Sequence, residues 1–278
     1  MPPEILAIVT ARNEGERIGA TLDGLALAFP GVSVWVADDG STDDTAAIAA
    51  AAGARVVRGG RPVGKGGAAT AAARDALGHV RAARAGPEGG AATEAGGESL
   101  GDARAARAGR EGGAATEAAR ESLGDARAAP AGRDGSLIFV FCDGDLGESA
   151  RSLDLLAAAI GDGRADMAVA IFARRLGGGI GLAVGLARRS IRRRCGLEMT
   201  APLSGQRALS EAALADMLPF APGFGMETGM TIDAVRAGRR VVEIELDLSH
   251  RATGRTLSGF VHRARQLRDI MRAQAARA

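Results

Sequence analysis

The chain alternates short apolar runs of strand length with stretches of helical character, and few architectures accept that order. The runs are ILAIVTA (5–11), VSVWVADD (32–39), ARVVRG (54–59), SLIFVFCDGD (136–145) and DMAVAIFA (166–173). Helix-like segments over 14–28, from Thr42 or Ser41 as cap through Ala52, over 66–83 and over 149–160 separate them. Strands that are apolar throughout are buried on both faces, which is the condition of a parallel sheet between helix layers. The expected fold is therefore α/β and Rossmann-like: a mostly parallel sheet with helices on both faces in a single domain. Its ligands would lie at the carboxyl ends of the strands.

One segment breaks the alternation. GGAATAAARDALGHVRAA begins at Gly66, GGAATEAGGESLGDARAA at Gly89 and GGAATEAARESLGDARAA at Gly112, a constant step of 23 residues. A solenoid needs each unit to bury a face on the next. The second and third copies offer only Leu100 and Leu123 as large apolar residues, too little to offset the entropy of ordering them. Residues 89–134 read as a tandem expansion of the 66–88 unit, a flexible surface insertion. Setting them aside leaves a chain of the size of one catalytic domain.

Composition narrows the function classes. Lys and Arg number 35 against 33 Asp and Glu, so no general basic surface for nucleic acid is expected. Cys142 and Cys195 are too few for a disulfide framework and share no metal-ligand spacing. The run LGGGIGLAVGLA (176–187) is too short and glycine-rich to span a bilayer. A cytoplasmic protein is expected, with peripheral contact at the inner membrane face left open.

The residues just after each strand carry the chemistry. Thr10, Ala11, Arg12, Asn13 and Glu14 follow the first strand, and Asp38 and Asp39 end the second before GSTDD. GGRPVGKGG follows the third and Asp143-Gly144-Asp145 the fourth. Two carboxylates separated by one residue at a strand end can both reach a hard cation, Mg2+ or Mn2+, whose other positions are filled by phosphate oxygens. Lys65 in VGKGG precedes a helix whose free N–H groups, with the ammonium, suit a diphosphate. The spacing is not that of a P-loop, and no GxGxxG follows the first strand. In the copies, Glu88 and Glu111 stand where Lys65 stands in the parent, so the repeat does not double this site.

VTARNEGERIGATLDGL, VWVADDGSTDDTAAIA, VGKGGA and FVFCDGDLG together resemble, in order, the nucleotide-sugar half of family 2 glycosyltransferases of the GT-A fold. The resemblance covers the chain outside 89–134. It assigns 1–88 and 135–173 to the nucleotide-sugar half, and 174–278 to the acceptor half with a C-terminal helix. It implies that Ala11, Arg12, Asn13, Glu14 and Asp39 hold the nucleoside, with Asp38 beside them. Lys65 and Gly66 would meet the diphosphate, and Asp143, Gly144 and Asp145 the cation and sugar.

In the second half, PLSGQRALS (202–210) resembles the acceptor-loop strand, with Ser204, Gly205 and Arg207 lining the site. Arg207, an arginine in a buried strand, also needs a partner on physical grounds, and an anionic ligand was the expected one. Glu227 falls where many members of the family place a catalytic Asp. His250, after VVEIELDL, resembles a metal-ligating His of the glucosyl-3-phosphoglycerate synthase group. The resemblance implies sugar transfer from a nucleoside diphosphate donor, with Asp145 and Glu227 as catalytic residues and Asp143, Asp145 and His250 as metal ligands.

Several alternatives stay open. The acceptor is a small phosphorylated molecule such as 3-phosphoglycerate or a polyprenyl phosphate, and the outcome inverting or retaining. The basic segment GLARRSIRRRCG (185–196) suits a phosphorylated acceptor, an anionic lipid surface or plain solvent. The apolar stripe of 257–271 suits packing on the domain or a second subunit. A sugar-phosphate nucleotidyltransferase shares the architecture, although TARNEGER lacks its glycine-rich loop. A catalytically silent nucleotide-binding scaffold is the remaining alternative.

Overall fold

The computed structural model describes residues 3–85, 137–173 and 182–248. The repeat insertion, His250 and the expected C-terminal helix lie outside the described residues. Seven strands form one sheet: β1 (Glu4–Ala11), β2 (Ser33–Asp38), β3 (Arg55–Arg58), β4 (Leu137–Asp143), β5 (Met167–Phe172), β6 (Arg207–Ser210) and β7 (Val241–Leu246), in the order β3-β2-β1-β4-β6-β5-β7. All neighbours pair in parallel except β6, which is antiparallel to both β4 and β5.

The apolar runs are explained by two covered faces. Leu6 and Ile8 of β1 and Phe139 and Phe141 of β4 face one core. Ala7 and Val9, with Val140 and Cys142, face the other. The first core is closed by α3 (Lys65–Ala85), α5 (Leu182–Cys195), α6 (Glu211–Met217) and α7 (Met226–Arg236). The second is closed by α1 (Ile18–Ala28), α2 (Thr45–Ala51) and α4 (Asp154–Gly161). On α3, Ala69, Ala72, Ala73 and Ala76 lie against the sheet, and side chains this small let the helix approach closely. Trp35 of β2 donates its Nε1–H to Asp75 of α3 at 2.8 Å, giving the buried indole its polar partner.

The structure corrects two local expectations. The helix expected over 14–28 begins at Ile18, because Arg12 to Arg17 form a turn in which Glu14 carbonyl accepts from the N–H groups of Arg17 and Ile18. Neither Ser41 nor Thr42 caps α2, whose cap position is Asp44. Ser41 instead donates its N–H and hydroxyl to Asp38, and Thr42 donates its N–H to Asn13 Oδ1 at 2.8 Å. Loop-to-loop contacts won over the local capping preference.

The sheet order also locates the crevice. From β1 the chain runs outward through β2 to β3 and then returns to the other side of β1 as β4. Between β1 and β4 is therefore a topological switch point, where an open parallel sheet leaves room for a ligand. There Thr10 pairs in register with Asp143. Antiparallel β6 pairs Arg207 with Phe141, so it enters the sheet at the end where β4 leaves it. Its entry loop, 204–206, thereby reaches Asp143.

Candidate active site

At the carboxyl end of β4, Lys65 at the start of α3 bridges two acids. Its Nζ lies 2.6 Å from Asp143 Oδ1 and 2.7 Å from Glu227 Oε1 in the first turn of α7. The Glu227 side chain is 5% exposed, the Lys65 side chain 20% and that of Asp143 33%. Burial alone would lower the Lys65 pKa, but the charges of Asp143 and Glu227 outweigh it and raise the pKa above its ordinary value. Burial alone would raise the Asp143 pKa. The Lys65 charge, with hydrogen bonds from Lys65, Thr10 and Gln206, outweighs it and holds the carboxyl below its ordinary range. Both groups are therefore charged at neutral pH.

The Asp143 carboxylate is held at both oxygens. Thr10 donates its hydroxyl to Oδ1 at 2.9 Å, and Gln206 donates its Nε2–H to Oδ2 at 2.9 Å. Ser204 donates in turn to Gln206 Oε1 at 3.1 Å. Gly205 lies against the pair: a Cβ there would stand 2.6 Å from Lys65 Nζ and 2.7 Å from Asp143 Oδ2. Gly66 is a second close approach, since a Cβ on it would overlap the carbonyl oxygen of Ala221. Glycine at both positions follows from space.

The residues that follow β1 and β2 are brought together as well, by a different set of bonds. Asp39 Oδ1 accepts the N–H groups of Val63 and Gly64, both at 2.8 Å, which holds the loop leading into Lys65. Its Oδ2 lies 3.6 Å from Arg12, whose side chain is largely exposed. Asp38 is buried between Ser41 and Arg58, whose Nε stands 3.3 Å from Oδ2. Asn13 takes the left-handed conformation at φ 58°, which Asn tolerates better than most residues. Its N–H donates to Ser41 Oγ, while the Glu14 N–H donates to Thr45 Oγ1 at 2.8 Å. Ala11 is the buried last residue of β1. Gly144 packs under it, since a Cβ there would stand 3.2 Å from the Ala11 methyl. Asp145 is half-buried in the turn that follows β4.

Arg207 stands elsewhere than expected. It is fully buried, with its Nε–H donated to the Ser204 carbonyl at 2.8 Å, Nη2 to Pro202 carbonyl at 3.3 Å and Nη1 to Thr231 at 3.0 Å. Burial lowers its pKa to about 10, against the opposing pull of Glu227 and Glu243. The partner that a buried arginine needs is the underside of the 202–204 loop, so Arg207 braces that loop from behind. Glu243 of β7 braces it further, accepting the N–H groups of Thr200 and Ala201 at 2.7 and 2.6 Å. Of the two residues that hold the Asp143 carboxylate beside Lys65, sequence reasoning named Thr10 only by its position and did not single out Gln206. Thr10 had a signal, its place at the end of a buried strand. Gln206 had none, because its partner depends on where β6 enters the sheet.

The cluster thus places a lysine at a helix start, between two acids, at the switch point of a parallel sheet, where sheets of this kind bind their ligands. Residues 6–81 match the family model described as Glycosyl transferase family 2. No curated protein sequence matches the chain. Among solved structures it is similar to glucosyl-3-phosphoglycerate synthase from Mycobacterium tuberculosis in complex with phosphoglyceric acid. The identity is 22% and the TM-score 0.62, over 98% of this chain and 79% of that one. A structure of the same enzyme with Mn2+, uridine-diphosphate-glucose and phosphoglyceric acid gives 23% identity and a TM-score of 0.61 over the same shares. A third, with Mn2+, uridine-diphosphate-glucose and glycerol 3-phosphate, gives 23% and 0.61 over those shares. At these identities the structural likeness establishes the fold, which is GT-A, as the motifs implied.

Proposed function

We propose that this nucleotide-sugar glycosyltransferase works with a divalent cation and passes the sugar to a small phosphorylated acceptor of the 3-phosphoglycerate type. The observation that carries the reading is Lys65 held between Asp143 and Glu227 at the start of α3. A leaving nucleoside diphosphate develops negative charge as the sugar departs, and preorganised positive charge at that point lowers the barrier. Lys65 supplies such a charge and does so from a fixed position.

The residues present fit Mg2+ or Mn2+. Asp143 and Asp145 offer the hard oxygens that these ions take, and diphosphate oxygens complete such a shell. No group of three or more His, Cys, Asp or Glu gathers for a metal among the described residues, and His250 lies outside them. When bound, the cation would add a second positive charge against the diphosphate. In this reading Asp143 holds both the cation and Lys65, and Glu227 anchors Lys65 from the other side. With one oxygen already on Lys65, Glu227 acts as a positioning residue, which suits an acceptor phosphate or a retaining outcome. No helix among the described residues is long and apolar enough to cross a membrane.

The test is a screen of uridine and guanosine diphosphate sugars with Mn2+, offering 3-phosphoglycerate or a polyprenyl phosphate and following product by mass spectrometry. Transfer to 3-phosphoglycerate is expected. Transfer to the polyprenyl phosphate alone would replace the acceptor, and neither transfer nor donor hydrolysis with any nucleotide sugar would overturn the reading.

A further inference from the structure

The hydrogen bonds around Asp143 carry an assignment beyond the reading above, and one that rests on it. We propose that Gln206 is the positioning residue that sets which oxygen of Asp143 is offered to the cation and the donor. A carboxylate oxygen has about two acceptor sites. Oδ1 fills them with Thr10 and Lys65, whereas among the described residues Oδ2 accepts from Gln206 alone and keeps one. Oδ2 is thus the oxygen left for a ligand, and Gln206 is what holds it in place.

Donation runs in one direction through this network. The Ser204 hydroxyl donates to Gln206 Oε1, and Gln206 Nε2–H donates to Asp143. An amide turned over would set Oε1 against a carboxylate, two acceptors face to face. Gln206 is 2% exposed, so water does not compete for the amide. Its carbonyl accepts the Ala170 N–H at 3.0 Å, which fixes its backbone to β5. The residue is thus held at its backbone, at its Oε1 and at the carboxylate. Outer partners of this kind orient metal-binding carboxylates, and losing one typically weakens metal affinity about 10–100-fold.

The experiment compares wild type with Gln206→Leu, which keeps the bulk and removes the amide. Mn2+ affinity in the presence of uridine diphosphate is read from the electron paramagnetic resonance signal of free Mn2+. Uridine diphosphate affinity is read separately by calorimetry in EDTA. The expected result is a loss of Mn2+ affinity of about 10–100-fold, with uridine diphosphate binding in EDTA unchanged. Equal Mn2+ affinity in the variant overturns the assignment, as does a parallel loss of both affinities, which a merely structural residue would give. Should Gln206→Leu fail to fold by circular dichroism, Ser204→Ala takes its place. It is expected to show a smaller loss in the same direction, and an unchanged Mn2+ affinity there overturns the proposal. A wild-type protein that binds neither Mn2+ nor uridine diphosphate would instead remove the proposed function, and this assignment with it.

Discussion

Two pairs of acids, Asp38 with Asp39 after β2 and Asp143 with Glu227 where β4 meets the start of α7, are held in opposite ways. Asp38 and Asp39 are anchored chiefly by N–H and hydroxyl groups of the neighbouring loops. Asp143 and Glu227 instead share one ammonium, that of Lys65. The first arrangement builds loops, since each bond fixes a turn of the chain. The second concentrates charge at the tip of a side chain 20% exposed, where an anionic ligand can reach it. The comparison assigns shape to one cluster and chemistry to the other.

The largest effect is expected where the charge is shared. Lys65→Met leaves Glu227 buried without its cation and removes the positive charge at the start of α3. Transfer should fall about 10²–10³-fold, the usual loss when one preorganised electrostatic group is removed. Stability should fall as well, by about 3 kcal/mol for an acid left uncompensated in the interior. Steady-state rates and urea unfolding read the two separately. A variant that unfolds more easily yet turns over normally would move the chemistry away from Lys65.

Asp39→Ala probes the other cluster. Two backbone N–H groups, of Val63 and Gly64, lose a charged acceptor. Bonds of that type contribute about 1.5–3 kcal/mol where water cannot replace them. Val63 is 53% exposed, so water replaces part, and a loss of about 2 kcal/mol in urea unfolding is expected. If stability is instead unchanged while donor binding disappears, Asp39 is a ligand residue and the division between the clusters fails.

Much of this was legible from local sequence. The strands β1, β2 and β4 announce themselves because both faces are covered, so every position can be apolar. Lys65 and Asp143 are visible because each stands where an apolar run or a glycine turn ends. What stayed hidden depends on β6. Its antiparallel entry between β4 and β5 brings Gly205 and Gln206 onto Asp143 and turns Arg207 inward. Apolar periodicity gives a strand but not its direction or its neighbours, so an arginine that needed a buried partner could not be told from one that met a ligand.

Gly205→Ala separates geometry from stability inside the charged cluster. The added methyl would meet Lys65 Nζ, the far end of a flexible side chain, before any backbone atom. The ammonium can turn toward Glu227, which keeps that buried acid paired, but it then leaves Asp143. Transfer should fall about tenfold, equivalent to about 1.4 kcal/mol, with the urea midpoint close to that of wild type. The contrast is Gly66→Ala, where the clash is with the Ala221 carbonyl. That backbone has no such freedom, and overpacking of this kind typically costs about 1–3 kcal/mol of stability. Equal stability losses in the two variants would show that Gly205 is as tightly built in as Gly66.

The smallest expected effect is on the pH dependence of stability, because Asp143 is a third exposed and solvent screens its pairing. Its pKa is lowered on folding: burial opposes this, and the Lys65 charge and the hydrogen bonds outweigh burial. A lowered carboxyl pKa stabilises above the ordinary value of 3.8, and that contribution is lost as pH falls through the folded value. The raised pKa of Lys65 has the opposite sign. Its contribution is complete below 10.5 and is lost as pH rises through the folded value. Between those limits the pair stabilises by a constant amount. The difference in urea midpoint between wild type and Asp143→Asn should therefore be flat through neutral pH and shrink only in acid and in strong alkali. A step near neutral pH would mean that Asp143 or Lys65 changes charge there, and the pair would then be a titrating centre instead of a fixed charge.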